Sequence, residues 1–203
     1  MSRAGIARLT AFACVAVLAG TLAAHRLPAI RPPALRDDGP VPDFALTDQA
    51  GRPVTRASLA GSVWVADFIF TRCAGQCPLM SAQMATLQRA FEPLSGVRLV
   101  SFTVDPAHDT PEVLAAYARH YGASAARWQF LTGEQEALWR LAREGFKLGV
   151  GEGGSTEEPI THSVRLVLVD RRGHIRGTYG ATDGAALRRL HQDVRRLLGE
   201  PPR

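Results

Sequence analysis

Cysteine is scarce in this chain. Of three in 203 residues, Cys14 lies in an N-terminal apolar segment, which leaves Cys73 and Cys77 for everything that follows. A disulfide-stapled scaffold is thereby excluded, because a bond between residues four apart closes too small a loop to add much stability. Internal repeats and low-complexity tracts are also missing. So is any pairing of a basic stripe with aromatic platforms, although the net charge is +5. Arg188, Arg189, Arg195 and Arg196 interleave at helical spacing with Leu187, Leu190, Val194 and Leu197. That pattern is the solvated face of an amphipathic helix, and nucleic acid is rejected as a partner.

What is present begins with an export segment. Arg3 and Arg8 precede an apolar stretch from Leu9 to about Ala24, followed by His25 and Arg26. Residues 1–24 read as a signal peptide or membrane anchor, the run being at the short end for a membrane span. Thr21-Leu22-Ala23-Ala24 supplies small residues for cleavage, so both fates stay open, with the anchor favoured. Cys14 sits mid-run, too early for lipidation. The remainder is expected outside the cytoplasmic membrane, on the periplasmic side or in the cell envelope, where paired thiols need reduction to stay as thiols. Residues 25–40, with Pro28, Pro32, Pro33 and Pro40, are expected to form an extended, poorly packed linker. A single domain with a proper core is expected over 41–200.

Within that domain the pattern alternates. Phe44–Thr47 and Pro53-Val54, separated by a turn, predict an N-terminal hairpin. Val63–Phe70 is a near-continuous apolar run, as in a central strand covered on both faces. Pro78 suits a first helical turn, with Met80, Met84, Leu87 and Phe91 following at helical spacing. Core packing is the default for both methionines, Met80 being the likelier exception as a soft ligand. Val97–Val104 predicts a strand, and Asp109-Thr110-Pro111-Glu112 a helix start running to about Tyr121. Trp128–Leu131, a helix through about Gly145, a loop over 149–159, strands over 163–169 and 175–179, and a helix over 183–198 complete the chain. The prediction is an α/β sandwich with a mixed central sheet flanked by helices.

Chemistry concentrates where the central strand ends. Cys73 and Cys77 stand i, i+4 between strand and helix, and the helix N-terminus favours negative charge. A lowered thiol pKa is therefore expected there, and Arg72 beside the pair should lower it further. Thiolates both bind soft metals and attack disulfides, so the spacing alone supports either use. His162 precedes a strongly apolar strand that could set its ring at the sheet rim. Two sulfurs and one imidazole suit Cu(I) and extend to Cu(II), whereas zinc would want a fourth protein ligand. His108 is the other rim candidate; His25, His120, His174 and His191 argue less.

Three motifs then carry a resemblance. Phe70-Thr71-Arg72-Cys73-Ala74-Gly75-Gln76-Cys77-Pro78, Val104-Asp105-Pro106 with Asp109-Thr110-Pro111, and Thr161-His162-Ser163 ahead of Leu168-Val169-Asp170, Gly173 and Tyr179 occur in order. Over about residues 41–198 the chain resembles the Sco/SenC family, exported thioredoxin-like proteins that deliver copper to cytochrome c oxidase. The resemblance implies a thioredoxin-like fold, copper as cofactor or cargo, Cys73, Cys77 and His162 as ligands, and Asp105 as a supporting residue. It implies the oxidase's copper-binding subunit as partner, with another copper carrier or a thiol reductant upstream. Many family members have histidine where Arg72 stands, and a proline and an acid where Ala74-Gly75-Gln76 lies. The competing function is a thiol–disulfide oxidoreductase that reduces the oxidase's copper-binding cysteines, with Cys73 and Cys77 as a catalytic redox pair. A peroxidase would need a peroxidatic cysteine in its own activating surround, and none is marked.

Overall fold

The protein is described here from a computed structural model covering residues 34–152 and 160–200. The export segment and most of the expected linker lie outside the described residues. Seven strands form one sheet in the order β2-β1-β5-β4-β3-β8-β9. They are β1 (Ala45–Asp48), β2 (Pro53–Thr55), β3 (Val63–Ile69), β4 (Val97–Thr103), β5 (Trp128–Thr132), β8 (Arg165–Val169) and β9 (Ile175–Gly180). A separate two-stranded ladder joins β6 (Val150–Glu152) to β7 (Ile160–His162). The helices are α1 (Cys77–Ala90), α2 (Pro111–His120), α3 (Gln135–Arg140) and α4 (Gly184–Gly199). Among the described residues no helix is long and apolar enough to cross a membrane.

The centre of the sheet is the parallel trio β3, β4 and β5, and every residue of β3 is buried. That burial matches its near-continuous apolar sequence, because helices cover both faces of a parallel sheet. Phe68 and Phe102 stack at 5.1 Å across the β3–β4 pair, and Phe146 meets both rings edge-on or tilted. Antiparallel strands flank the trio: β1 pairs with β5, and β8 with β3. The expected hairpin therefore joins the main sheet through β1, and the sheet is mixed as predicted.

Helix starts follow local chemistry. Asp183 caps α4 by accepting the Ala185 amide at 2.8 Å, and Glu134 caps α3 by accepting those of Glu136 and Ala137. For α2 the capping side chain is Thr110, with Pro111 in the first turn, which leaves Asp109 for another task. After α3 the helix widens into a π turn over Leu141–Gly145, and Lys147 then adopts a left-handed conformation at φ 56° before β6.

Three expectations need correction. The segment from Leu35 to Pro40, expected as unpacked linker, is bound to the β8–β9 hairpin. Asp38 and Val41 amides donate to the Ile175 and Gly173 carbonyls, Ile175 donates to Gly39, and Arg176 donates to the Arg36 carbonyl at 2.8 Å. The loop expected from 149 begins with β6, while 153–159 lies outside the described residues. Finally, β8 starts at Arg165, so His162 belongs to the separate ladder rather than to the mouth of the main strand. Proline content and a glycine-rich stretch conceal pairing supplied by partners distant in sequence.

Candidate metal and thiol site

The parallel pair β3–β4 ends in register, Ile69 opposite Thr103, and both connections leave from the same edge. Beyond Ile69 the chain turns, the Cys73 amide donating to the Phe70 carbonyl at 3.3 Å. It enters α1 at Cys77, with Pro78 in the first turn, where a missing N–H is harmless. No disulfide joins the two cysteines. Cys73 is 8% exposed and Cys77 is fully buried, while Ala74, Gly75, Gln76, Pro78 and Leu79 around them are exposed. The pair thus lies just beneath an exposed rim, with the exposed Arg72 at one side.

Burial reverses the expected acidity at Cys77. Desolvation pushes its thiol well above the ordinary value of 9.0, outweighing a backbone hydrogen bond from Phe70; neighbouring Cys73 and Asp67 push it further up. The helix terminus is worth at most about 2 kcal/mol to a charge, less than the penalty of removing a thiolate from water. Arg72 also differs from expectation. Its Nε donates to Asp105 Oδ2 at 2.7 Å, with Arg72 half exposed and Asp105 nearly buried. The guanidinium is thus committed to a carboxylate, and the two supporting residues named from sequence form one ion pair beside Cys73.

The other named residues are placed as follows. The His162 backbone ends β7 opposite Val150 of β6, one residue before Ser163, whose amide donates to the Gly149 carbonyl at 3.0 Å. Its side chain lies outside the described residues. His108 is exposed in the loop carrying Asp105. Met80 and Met84 are both fully buried, so the core role holds for each. His174 pairs with Asp37, and His191 stacks on Phe91. Among the described residues no three of His, Cys, Asp or Glu form a cluster of metal-binding geometry. The two sulfurs are a partial donor set.

Two acidic residues escaped sequence reasoning. Asp67 is fully buried in β3, its Oδ1 accepting the Ser101 hydroxyl, which also receives Trp128 Nε1 at 2.9 Å. Its Oδ2 has no hydrogen-bond partner among the described residues, and burial raises the carboxyl to about 7. The available signal was a carboxylate inside an otherwise apolar run. In the sequence Asp109 is legible only as part of a helix start. It instead accepts the Thr71 amide at 3.1 Å together with the Thr71 and Thr103 hydroxyls, and burial raises its pKa against those bonds.

Comparison with known proteins gives a consistent result. The SCO1/SenC family model matches residues 35–199. The SCO1 protein homolog of Bacillus subtilis (strain 168) is 35% identical over 157 residues, covering 76% of this chain and 81% of that protein. A protein of Stutzerimonas stutzeri named for copper binding is 34% identical over 143 residues, covering 68% and 67%. Among solved structures, BsSco, described with a disulfide switch and as a member of the Sco family of cytochrome c oxidase assembly proteins, superposes with a TM-score of 0.74. It is 32% identical, covering 83% of this chain and all of that one. The seven-stranded mixed sheet and its helices are the thioredoxin-like architecture of those structures.

Proposed function

Because the chain belongs to the SCO1/SenC family, we propose that it binds copper through Cys73, Cys77 and His162 and delivers it to the copper site of cytochrome c oxidase. The observation that carries this reading is the shallow dithiol. Two soft sulfurs without a disulfide lie at a strand–helix junction under an exposed rim, with the Arg72–Asp105 ion pair beside them. Cu(I) is the ion such a set prefers, and an imidazole makes the set able to take Cu(II) as well. An enclosed ion would be difficult to hand on, whereas ligand exchange at a rim needs little movement. The name of the Stutzerimonas stutzeri relative and the assembly role stated for BsSco support both halves of the proposal. The partner is the copper-binding subunit of the oxidase. The domain works outside the cytoplasmic membrane, held there by the N-terminal segment.

The decisive experiment is anaerobic Cu(I) titration of the reduced full chain in detergent against a competing chelator, alongside His162→Ala. One tight equivalent that weakens sharply without His162 is expected. Binding indifferent to His162, or none, refutes the three-ligand site.

A second reading, thiol–disulfide exchange, is favoured by the unequal burial of the pair and by the switch described for BsSco. Cys73, nearer the surface, would attack a partner disulfide and form a mixed disulfide. Cys77 would then displace the partner's second thiol and close the Cys73–Cys77 bond. His162 has no part in those steps, so His162→Ala is expected to spare exchange.

A further inference from the structure

The turn that carries Cys73 is held from outside the cysteine motif. Asp109 is fully buried in the loop between β4 and α2, where its amide donates to the Asp105 carbonyl at 2.9 Å. Its carboxylate receives the Thr71 amide at 3.1 Å, the Thr71 hydroxyl and the Thr103 hydroxyl. Thr103 is the last residue of β4 and faces Ile69, the last of β3. One carboxylate therefore fastens the start of the turn to the neighbouring strand end. The next residue, Arg72, is fastened to Asp105 of the same loop, and the residue after that is Cys73. Cys77 is fixed separately, as the first residue of α1.

We propose that Asp109 is a positioning residue for the cysteine pair: through Thr71 it holds the Cys73 arm of the turn in its dithiol arrangement and so sets how readily the pair closes to a disulfide. The inference rests on Cys73 and Cys77 being the working pair, and copper is not needed for it. Closure brings the sulfurs to about 2.05 Å. Cys77 is buried at the head of a helix, so the Cys73 arm makes most of the movement. Hydrogen bonds to a buried carboxylate are of the strong, charge-assisted kind. Whatever closure disturbs in them counts against the disulfide form. The Thr71 hydroxyl is the separable part, since only threonine or serine can supply it, whereas its amide bond survives substitution.

The test uses the full chain with Cys14→Ser, in detergent, equilibrated with glutathione and trapped by alkylation. In that equilibrium the two protein thiols and one oxidised glutathione become one protein disulfide and two reduced glutathiones. Thr71→Val is expected to shift the constant about tenfold toward the disulfide, the scale of one hydrogen bond to a charged group. Thr71→Ser is expected to stay within about twofold of the parent, and Asp109→Asn to shift in the same direction as Thr71→Val. Leu190→Ala, a buried truncation in α4 outside the clamp, is expected to lower stability without moving the constant. An unmoved constant in Thr71→Val, or an equal shift in Leu190→Ala, overturns the proposal. Should Asp109→Asn fail to fold, the two Thr71 variants decide alone. If the parent chain takes up no copper and Thr71→Val still shifts the constant, the copper reading is removed and the positioning role stands.

Discussion

Asp67→Asn is expected to remove a pH-dependent weakness at the centre of the sheet. The Asp67 carboxyl titrates at 3.8 in an open chain and at about 7 in the fold, because burial disfavours its charge more than the Ser101 hydroxyl supports it. The folded state therefore holds a proton that the unfolded state releases, and stability falls as pH rises from the lower value to the higher. A gap of about three pH units is worth about 4 kcal/mol. Roughly 1.5 kcal/mol of that penalty has accrued by pH 5, and nearly all by pH 8, so about 2.5 to 3 kcal/mol is lost between them. Asparagine keeps an oxygen for Ser101 and never ionises. Its amide nitrogen would face the position where Oδ2 has no hydrogen-bond partner among the described residues, adding a constant offset of about 1–3 kcal/mol. The slope of the difference is thus the quantity to read. Urea unfolding of the reduced, metal-free chain and of Asp67→Asn, followed by tryptophan fluorescence at pH 5, 6, 7 and 8, supplies it. Ionisation of the cysteine thiols in the unfolded state is common to both proteins and cancels in the difference. The variant is expected to gain about 2.5 to 3 kcal/mol on the parent across the series. A difference flat to within about 0.5 kcal/mol would refute the burial argument.

Other substitutions probe separate parts of the structure. Cys73→Ser and Cys77→Ser are each expected to abolish tight Cu(I) binding and disulfide exchange, while His162→Ala weakens the former and spares the latter; chelator competition and a reductase assay read the two. Arg176→Met leaves Asp170 nearly buried without the 2.9 Å guanidinium contact that helps hold its carboxyl below the ordinary range. Arg172 at 3.6 Å and two backbone amides still face the carboxylate. A loss of about 3 kcal/mol is therefore expected in urea unfolding at pH 7, shrinking as pH falls below the ordinary 3.8 toward the lowered value in the fold. Lys147→Gly relieves a left-handed backbone worth about 1–2 kcal/mol, against about 0.5–1 kcal/mol of added chain entropy. A net gain of about 0.5–1 kcal/mol is expected, and thermal melting checks its sign.

Periodicity made most of the fold legible before any coordinates. Val63–Phe70 is apolar because both faces of β3 are covered, and the helix over 183–198 is amphipathic because one face of α4 is. The Cys73–Cys77 spacing with Pro78 marks a strand-to-helix turn for equally local reasons. Legibility ended where the partner is remote in sequence. His162 was expected at the start of the main strand, but its backbone pairs with Val150, and Leu35–Pro40 lies along a hairpin about 135 residues away. Acidity at the site was misjudged for a related reason. Helix ends and neighbouring cations are visible in a sequence, whereas desolvation of Cys77 depends on what packs over it. Arg72 and Asp105, and Thr71 and Asp109, are joined only because β3 and β4 end side by side. Sequence alone determined which groups are chemically able and on which kind of element each sits, since those follow from residue type and local spacing. Tertiary structure decided which of them meet and which are dry, because burial and ion pairing arise between segments brought together by the sheet.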